Sequence, residues 1–441
     1  MTVSPEKTRL YTVGSLQYTL LKLCWVSGWV LLGSFWYNML ETVFVPTLLP
    51  LNFHALGASG ALTGMVLGSI PSGISILLNP VISTVSDRTR TRFGRRMPYI
   101  LTAVPVMAGC MIMLGWLPVW AAEMNRQITI LFYSVTYILM HLANMVIGTV
   151  MSYLKPDVIP ENFIGRLQAG TLIASSVSGY LFNRLLMQFV PDFMPWIFTG
   201  IALAVLLSFT GTALFVREGK YPAPENSETS QKPLRKAAGY ILMYLRECFA
   251  EPFYLILFCG LSMTMMASVC RMLFCVLFAS IEIGIAPETY GVIMSYASLA
   301  GAATAAVMFF IIDRSDPLKI FTGTALLIFI LDASGYFFAR SPATFAVTGV
   351  LMIAVYTIQN LSIIPLMVKL LPADRFGQFV SAYVMMCGIV GFIANALCGK
   401  VLDIAGYRSL FIFDAVFTLI ATLFMLETAR RCFIQPQKSK T

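Results

Sequence analysis

The sequence predicts an all-α membrane protein with twelve transmembrane helices in two pseudo-symmetric six-helix halves. Three observations predict it. The first is composition: 58% of the 441 residues are hydrophobic and 12% are charged, where a soluble domain carries about 25% charged residues; mean hydropathy is +0.79. The second is the stretch Ser86–Leu101, S-D-R-T-R-T-R-F-G-R-R-M-P-Y-I-L, which places five arginines between two uncharged runs, Ala58–Val85 and Met97–Ala122. Each run exceeds the roughly 20 residues that carry a helix across a bilayer. The third is repetition. Pro160–Leu167 (P-E-N-F-I-G-R-L) returns as Pro372–Phe379 (P-A-D-R-F-G-Q-F) 212 residues later, and Asp87-Arg88 is echoed by Asp313-Arg314.

Taken in order, the apolar runs place spans at 23–49, 58–84, 98–118, 128–153, 166–190 and 194–216. A polar segment, Arg217–Glu251, follows and contains P-A-P-E-N-S-E-T-S-Q-K-P, which reads as a linker. The second set lies at 253–279, 288–312, 319–338, 343–369, 378–400 and 408–427. The chain therefore divides into a six-helix half over 1–216, a cytoplasmic linker over 217–252 and a second half over 253–441. Helices are required because backbone polar groups facing lipid must be satisfied within the segment. The runs are also too long and too uniformly apolar for barrel strands.

Charge sets the orientation. Of the 30 Lys and Arg, 24 fall in the segments on one side of these spans, the side of the arginine-rich loop. Arg126, Arg340, Lys400 and Arg408 fall in the opposite loops, and Arg184 and Arg271 lie within spans. Cationic short loops mark the cytoplasmic side, so both termini are expected there, in the cell (inner) membrane. The pI of about 9.1 is explained by this asymmetry, and no nucleic acid is expected as a partner. The nine cysteines show no C-x-x-C spacing and sit largely in apolar runs, as small hydrophobes do. The first apolar run is too long for a signal peptide, so no cleavage is expected.

The two repeated halves and their inner loops resemble the major facilitator superfamily. The block D-R-T-R-T-R-F-G-R-R-M-P-Y-I-L looks most like the sugar-carrying branch of sucrose–proton symporters and is similar to the glycoside–pentoside–hexuronide carriers. The fourth span reads M-H-L-A-N-M-V-I-G and is followed by D-V-I-P. On it, His141, Ala143, Asn144 and Asp157 fall on the sucrose-carrier pattern L-D-L-A-N-N with its later aspartate. His141 replaces that family's membrane aspartate, to which the proton is ascribed. Asn79 stands where melibiose-type carriers have a sodium-binding aspartate, so the resemblance implies no sodium coupling. It further implies that Asp87, Arg88, Gly94, Arg95 and Arg96 form a gating loop.

Ionisable residues inside spans are read as functional, because burying them is costly. His141 is near mid-span, too far from either end to snorkel, and an imidazole with an ordinary pKa of about 6.5 can load and release a proton. Glu41 and Arg271 lie at equivalent depths in spans 1 and 7, which line the cavity in the family, so they are expected to meet across it; snorkelling outward is the alternative. Asp332, in peripheral span 9, is expected to make a structural hydrogen bond, and Arg184 to reach the outer surface, with a hold on a sugar hydroxyl or a carboxylate as the alternative. Trp25, Trp29 and Trp36 share a helix face, with packing the commoner use of such a face. Trp36 and Tyr37, one turn before Glu41, are the cavity candidates of that set. Asn144, Gln359 and Asn360 complete a set of neutral hydrogen-bonding candidates suited to a hydroxyl-rich ligand.

These features predict a secondary transporter that moves a small hydrophilic solute, a sugar or glycoside, by proton-coupled alternating access. The expected partners are the solute, protons and the bilayer, with the chain acting as a monomer. A proton-driven exporter of drugs or other amphiphiles shares the fold and the loop and is the competing reading. No cofactor is expected. The motif G-x-x-x-x-G-K-[ST] is absent, and the only histidines are His54 and His141. ATP hydrolysis and zinc chemistry therefore have no visible basis, and the chain is not expected to be an enzyme.

Overall fold

A computed structural model describes residues 10–121, 123–219, 248–372 and 375–434; the side chains of several helical residues, Asp87, Arg88 and Asp313 among them, lie outside this description. Most of the linker, 220–247, is outside it as well. The described chain opens with a hairpin, β1 (Tyr11–Val13) and β2 (Leu16–Tyr18), paired Tyr11↔Tyr18 through Val13↔Leu16. Its signal is present in the sequence: alternation on either side of Gly14-Ser15, a turn that glycine enters at φ 54°. Tyr11 packs edge-on against Phe163 at 5.1 Å.

Twelve long helices follow among the described residues. The first six are α1 (Leu20–Ala55), α2 (Gly60–Gly64, continuing through Ile70–Arg88), α3 (Met97–Trp120), α4 (Arg126–Val158), α5 (Glu161–Leu181, extended by Phe182–Leu186) and α6 (Met194–Phe215). The second six are α7 (Pro252–Glu282), α8 (Pro287–Ile311), α9 (Pro317–Phe338), α10 (Pro342–Leu370), α11 (Phe376–Ala405) and α12 (Ser409–Ile434). Eleven of them are long and apolar enough to cross a membrane; α5 falls short on apolarity. It carries Gln168, Ser175, Ser176 and Ser178 and packs between α1 and α8.

The packing repeats as the sequence does. Helix α1 packs on α5 and α6, α3 on α4 and α6, and α2 on α4. Six helices on, α7 packs on α11 and α12, α9 on α10 and α12, and α8 on α10. The halves meet through α2 against α11, α5 against α8, and α1 against α7.

Several helices outrun their expected spans: α1 reaches Ala55, α2 Arg88, α4 Val158, α11 Ala405 and α12 Ile434. The physical reason is that hydropathy ends where charge begins, whereas a helix ends where its i→i−4 bonds do. Asp157, Lys400 and Asp403 therefore lie on helices. Four helices also contain a π-helical turn: Leu40–Phe44 in α1, Met65–Ser69 in α2, Phe182–Leu186 in α5 and Phe278–Glu282 in α7. Such turns insert one residue and re-aim the side chains around them, often at functional sites.

Candidate functional site

A cavity of about 320 Å³ lies at the junction of the halves. Thr42 and Thr47 of α1, Asn183 of α5, Ser268 and Arg271 of α7, Ser298 of α8, and Tyr356 and Asn360 of α10 contribute to its wall. The polar groups are hydroxyls and amides apart from one guanidinium. Sites for small molecules occupy about 300–1,000 Å³ and orient their ligand with a few such groups.

The face opposite the arginine-rich loop is closed by two matching contacts. Asn183 and Asn395, repeat-related on α5 and α11, each donate Nδ2 to the carbonyl four residues back, Gly179 and Gly391, both at 2.9 Å. Each then meets glycine on a helix of the other half. Gly291 of α8 abuts the Asn183 carbonyl, and Gly64 and Gly68 of α2 abut Asn395. A Cβ at Gly64 or Gly291 would drive into backbone, so the halves approach this closely only over glycine. Beside them, the Asp403 carboxylate of α11 accepts from the first backbone N–H groups of α2, Gly60 at 2.5 Å and Ala61 at 2.8 Å. Those N–H groups have no partner inside their own helix.

Glu41 and Arg271 do not pair across the cavity, contrary to expectation. Glu41, half-buried on the π turn of α1, accepts a hydrogen bond from Nδ2 of Asn144 on α4. His141 lies one turn before Asn144. Its buried Nε2 has no partner, its ring is 6.1 Å from that of Tyr137, and no carboxylate among the described residues is in hydrogen-bonding distance of it. The geometry gives the Glu41 carboxylate to Asn144 and not to His141.

Arg271 is held within the second half. Its Nη2 reaches Oδ1 of Asp332 on α9 and lies 2.8 Å from Oδ2 of Asp414 on α12. Both aspartates are fully buried, and the guanidinium carbon sits 4.9 Å from the Phe411 ring centroid. Asp332 thus makes the hydrogen bond expected of it, within an ion pair to Arg271. Asp414 was missed from sequence, although a lone acid in L-F-I-F-D-A-V-F is a legible signal.

The remaining candidates divide. Asn360 is on the cavity wall. Gln359 is buried with Nε2 unpartnered and is not among the cavity residues. Trp36 is not there either: it lines an apolar crevice of about 640 Å³ with Phe35, Phe189 and Trp196. The hydroxyl of Tyr37 lies over Gly148 of α4. Helical phase explains both, since Trp36 and Tyr37 precede the π turn that rotates the following residues toward the cavity. Trp25 and Trp29 pack on Phe215 of α6, at 5.8 and 5.0 Å between centroids. Arg184 is exposed, and Asn79 accepts from Thr149 at 3.0 Å.

In the arginine-rich loop, Arg95 donates to Asp157 through Nη2 at 2.5 Å and Nε at 3.2 Å. Arg96 adds Nε to the same carboxylate at 3.3 Å and Nη1 to Ser86 at 2.5 Å. Glu218, beyond α6, accepts from the backbone N–H of Arg95, Arg96 and Met97 at 2.8–2.9 Å, stabilising the start of α3. Gly94 takes φ +112° where a side chain would strike that carboxylate. The Asp87 and Arg88 side chains lie outside the described residues.

This architecture has relatives. A family model for the Major Facilitator Superfamily matches residues 261–432. The solved structure of the nucleoside transporter NupG superposes with a TM-score of 0.66 at 14% identity, covering 92% of this chain and 99% of that one. The chain as a whole thus shares the fold of that transporter. Its many long apolar helices make it a multi-pass membrane protein. A D-xylose–proton symporter structure gives a TM-score of 0.64 at 12% identity, covering 91% of this chain and 96% of that one. In sequence, the general alpha-glucoside permease of Schizosaccharomyces pombe is 26% identical over 168 residues, 35% of this chain. The matched region spans 30% of that permease's length.

Proposed function

We propose that this chain is a transporter that carries a sugar or glycoside by alternating access, driven by protons, across a cell (inner) membrane with both termini cytoplasmic, and that it works as a monomer. The observation that carries this reading is the cavity wall between the halves. Its hydroxyls and amides match a hydroxyl-rich solute, and its one cation, Arg271, is already balanced by carboxylates. The similar proteins named for alpha-glucosides and for xylose with protons support the same class.

In this reading 1–216 and 253–441 are the two rocking halves and 217–252 joins them. Asn360 and Arg271 bind the solute from the cavity wall of one half; Glu41, Asn144 and His141, on the other half and not among the cavity residues, bind it once the halves have moved. Asp87, Arg88, Gly94, Arg95 and Arg96 govern the cytoplasmic gate. Sodium finds no carboxylate at the middle of α2, where Asn79 accepts from Thr149.

The test is uptake of a labelled sugar panel into proteoliposomes. One sugar at least should accumulate under an imposed pH gradient and continue to do so when choline replaces sodium. An absolute sodium requirement would overturn proton coupling. The export reading has one observation in its favour, the apolar crevice beside Trp36. Amphiphile efflux with no sugar exchanged would select it.

A further inference from the structure

We propose that Arg271, Asp332 and Asp414 form the proton-binding site of this transporter, the two carboxylates sharing one exchangeable proton. This rests on the transport reading above and names the residues that couple it. Fully ionised, the cluster has one positive and two negative charges in an apolar interior. That leaves an unbalanced charge removed from water, which is the costly arrangement; one added proton makes the cluster neutral.

The geometry supports sharing. Both carboxylates converge on the same guanidinium nitrogen, Nη2. Oδ2 of Asp332 and Oδ1 of Asp414 are buried without a hydrogen-bond partner, and Oδ2 of Asp414 has only the Arg271 contact. One nitrogen does not satisfy two carboxylates, and the unfilled oxygens are where a proton binds. Carboxylates this close titrate as a pair, so the proton belongs to the cluster.

Among the described residues the surroundings hold no competing base. Cys270 and Cys275 of α7, Tyr290 of α8, Tyr356 of α10 and Cys398 of α11 are the other titratable groups near the cluster. Thiols and phenols ordinarily titrate well above neutrality. Tyr356 lies on the cavity wall with a buried, unpartnered hydroxyl, and Arg271 shares that wall. The aspartates stand behind Arg271, away from the solute.

Coupling follows from that order. A proton arriving from cavity water adds to a carboxylate oxygen as a carboxyl O–H. A single carboxylate then holds Arg271, whose N–H groups are freer to donate to a solute oxygen. When the proton leaves to water on the other side, both carboxylates draw the guanidinium back. Proton and solute therefore strengthen each other's binding, and the strengthening is reciprocal.

Two measurements test this. Infrared difference spectra of the reconstituted protein across a pH titration should show a protonated-carboxyl band in the parent and in Glu41→Gln. The band should be lost in Asp332→Asn and Asp414→Asn. With a sugar the parent exchanges, both Asp→Asn variants should lose all accumulation above equilibrium yet retain counterflow. Parent-like accumulation with the parent's pH dependence in both variants would overturn the site. So would absence of the band from the parent, or its loss in Glu41→Gln. Should the Asp variants fail to fold, the parent and Glu41→Gln spectra decide alone. Should no sugar exchange at all, the substrate reading fails, while the solute-free spectra still judge the proton site.

Discussion

A buried polar side chain in an apolar helix needs a partner, and in this chain the partner is what separates one role from another. Glu41 has Asn144, Arg271 has two aspartates, and His141 has a free ring nitrogen. In the proposed function that nitrogen, buried and off the cavity wall here, takes a solute hydroxyl once the halves have moved. Losing one such hydrogen bond costs about 0.5–1.5 kcal/mol, so His141→Ala should raise KM roughly 2- to 12-fold. Its dependence on the proton gradient should remain that of the parent. Initial-rate kinetics in proteoliposomes at several external pH values check both points. Loss of gradient-driven accumulation with exchange intact would return the proton to the first half. Sequence alone made His141, Glu41, Asn144 and Arg271 visible, because each interrupts an apolar run. It paired Glu41 with Arg271, the opposite charge at equal depth, because it carried no knowledge of Asp414.

At the scale of elements, the start of α2 is capped from two sources. Ser59 accepts from Leu62 within the half, and Asp403 accepts from Gly60 and Ala61 across the halves. The second contact exists only while this face is closed. Removing a cap costs about 0.5–2 kcal/mol, so Asp403→Ala should shift the equilibrium toward opening here roughly 2- to 30-fold. Spin labels at the adjoining ends of α2 and α11 should report a larger population at long separation. An unchanged distance distribution would mean that the glycine contacts alone hold the face. Neither device was legible beforehand. Asp403 lay beyond the expected end of its span, and a glycine in an apolar run gives no sign of the backbone that it will meet.

For the whole molecule, transport requires each half to move as a body. In the first half that rigidity is visible as a brace. Arg95 and Arg96 tie the α2–α3 loop to Asp157 at the end of α4, and Glu218 ties the start of α3 to the chain leaving α6. Asp157→Asn removes the carboxylate from two arginines whose side chains are 17% and 4% exposed. Hydrogen bonds to charged groups contribute about 1.5–3 kcal/mol, and a loss of that order should lower the thermal midpoint and slow exchange without preventing membrane insertion. Replacing Asp87 or Arg88 should likewise slow exchange with insertion intact. Exchange at the parental rate in all three variants would remove the loop from gating.

What the sequence determined by itself is whatever a local property determines. Bilayer thickness sets span length, so apolar runs located the helices. Duplicated loops exposed the two halves, and the spread of Lys and Arg marked one side. Tertiary structure decided the pairings. Arg271 finds Asp332 across 61 residues of chain and Asp414 further still. Tertiary structure also decided which neighbours of Glu41 reach the cavity, because a π turn shifts the helical phase that sequence periodicity assumes. Local hydropathy tells a side chain that it is buried; only the packed fold tells it against whom.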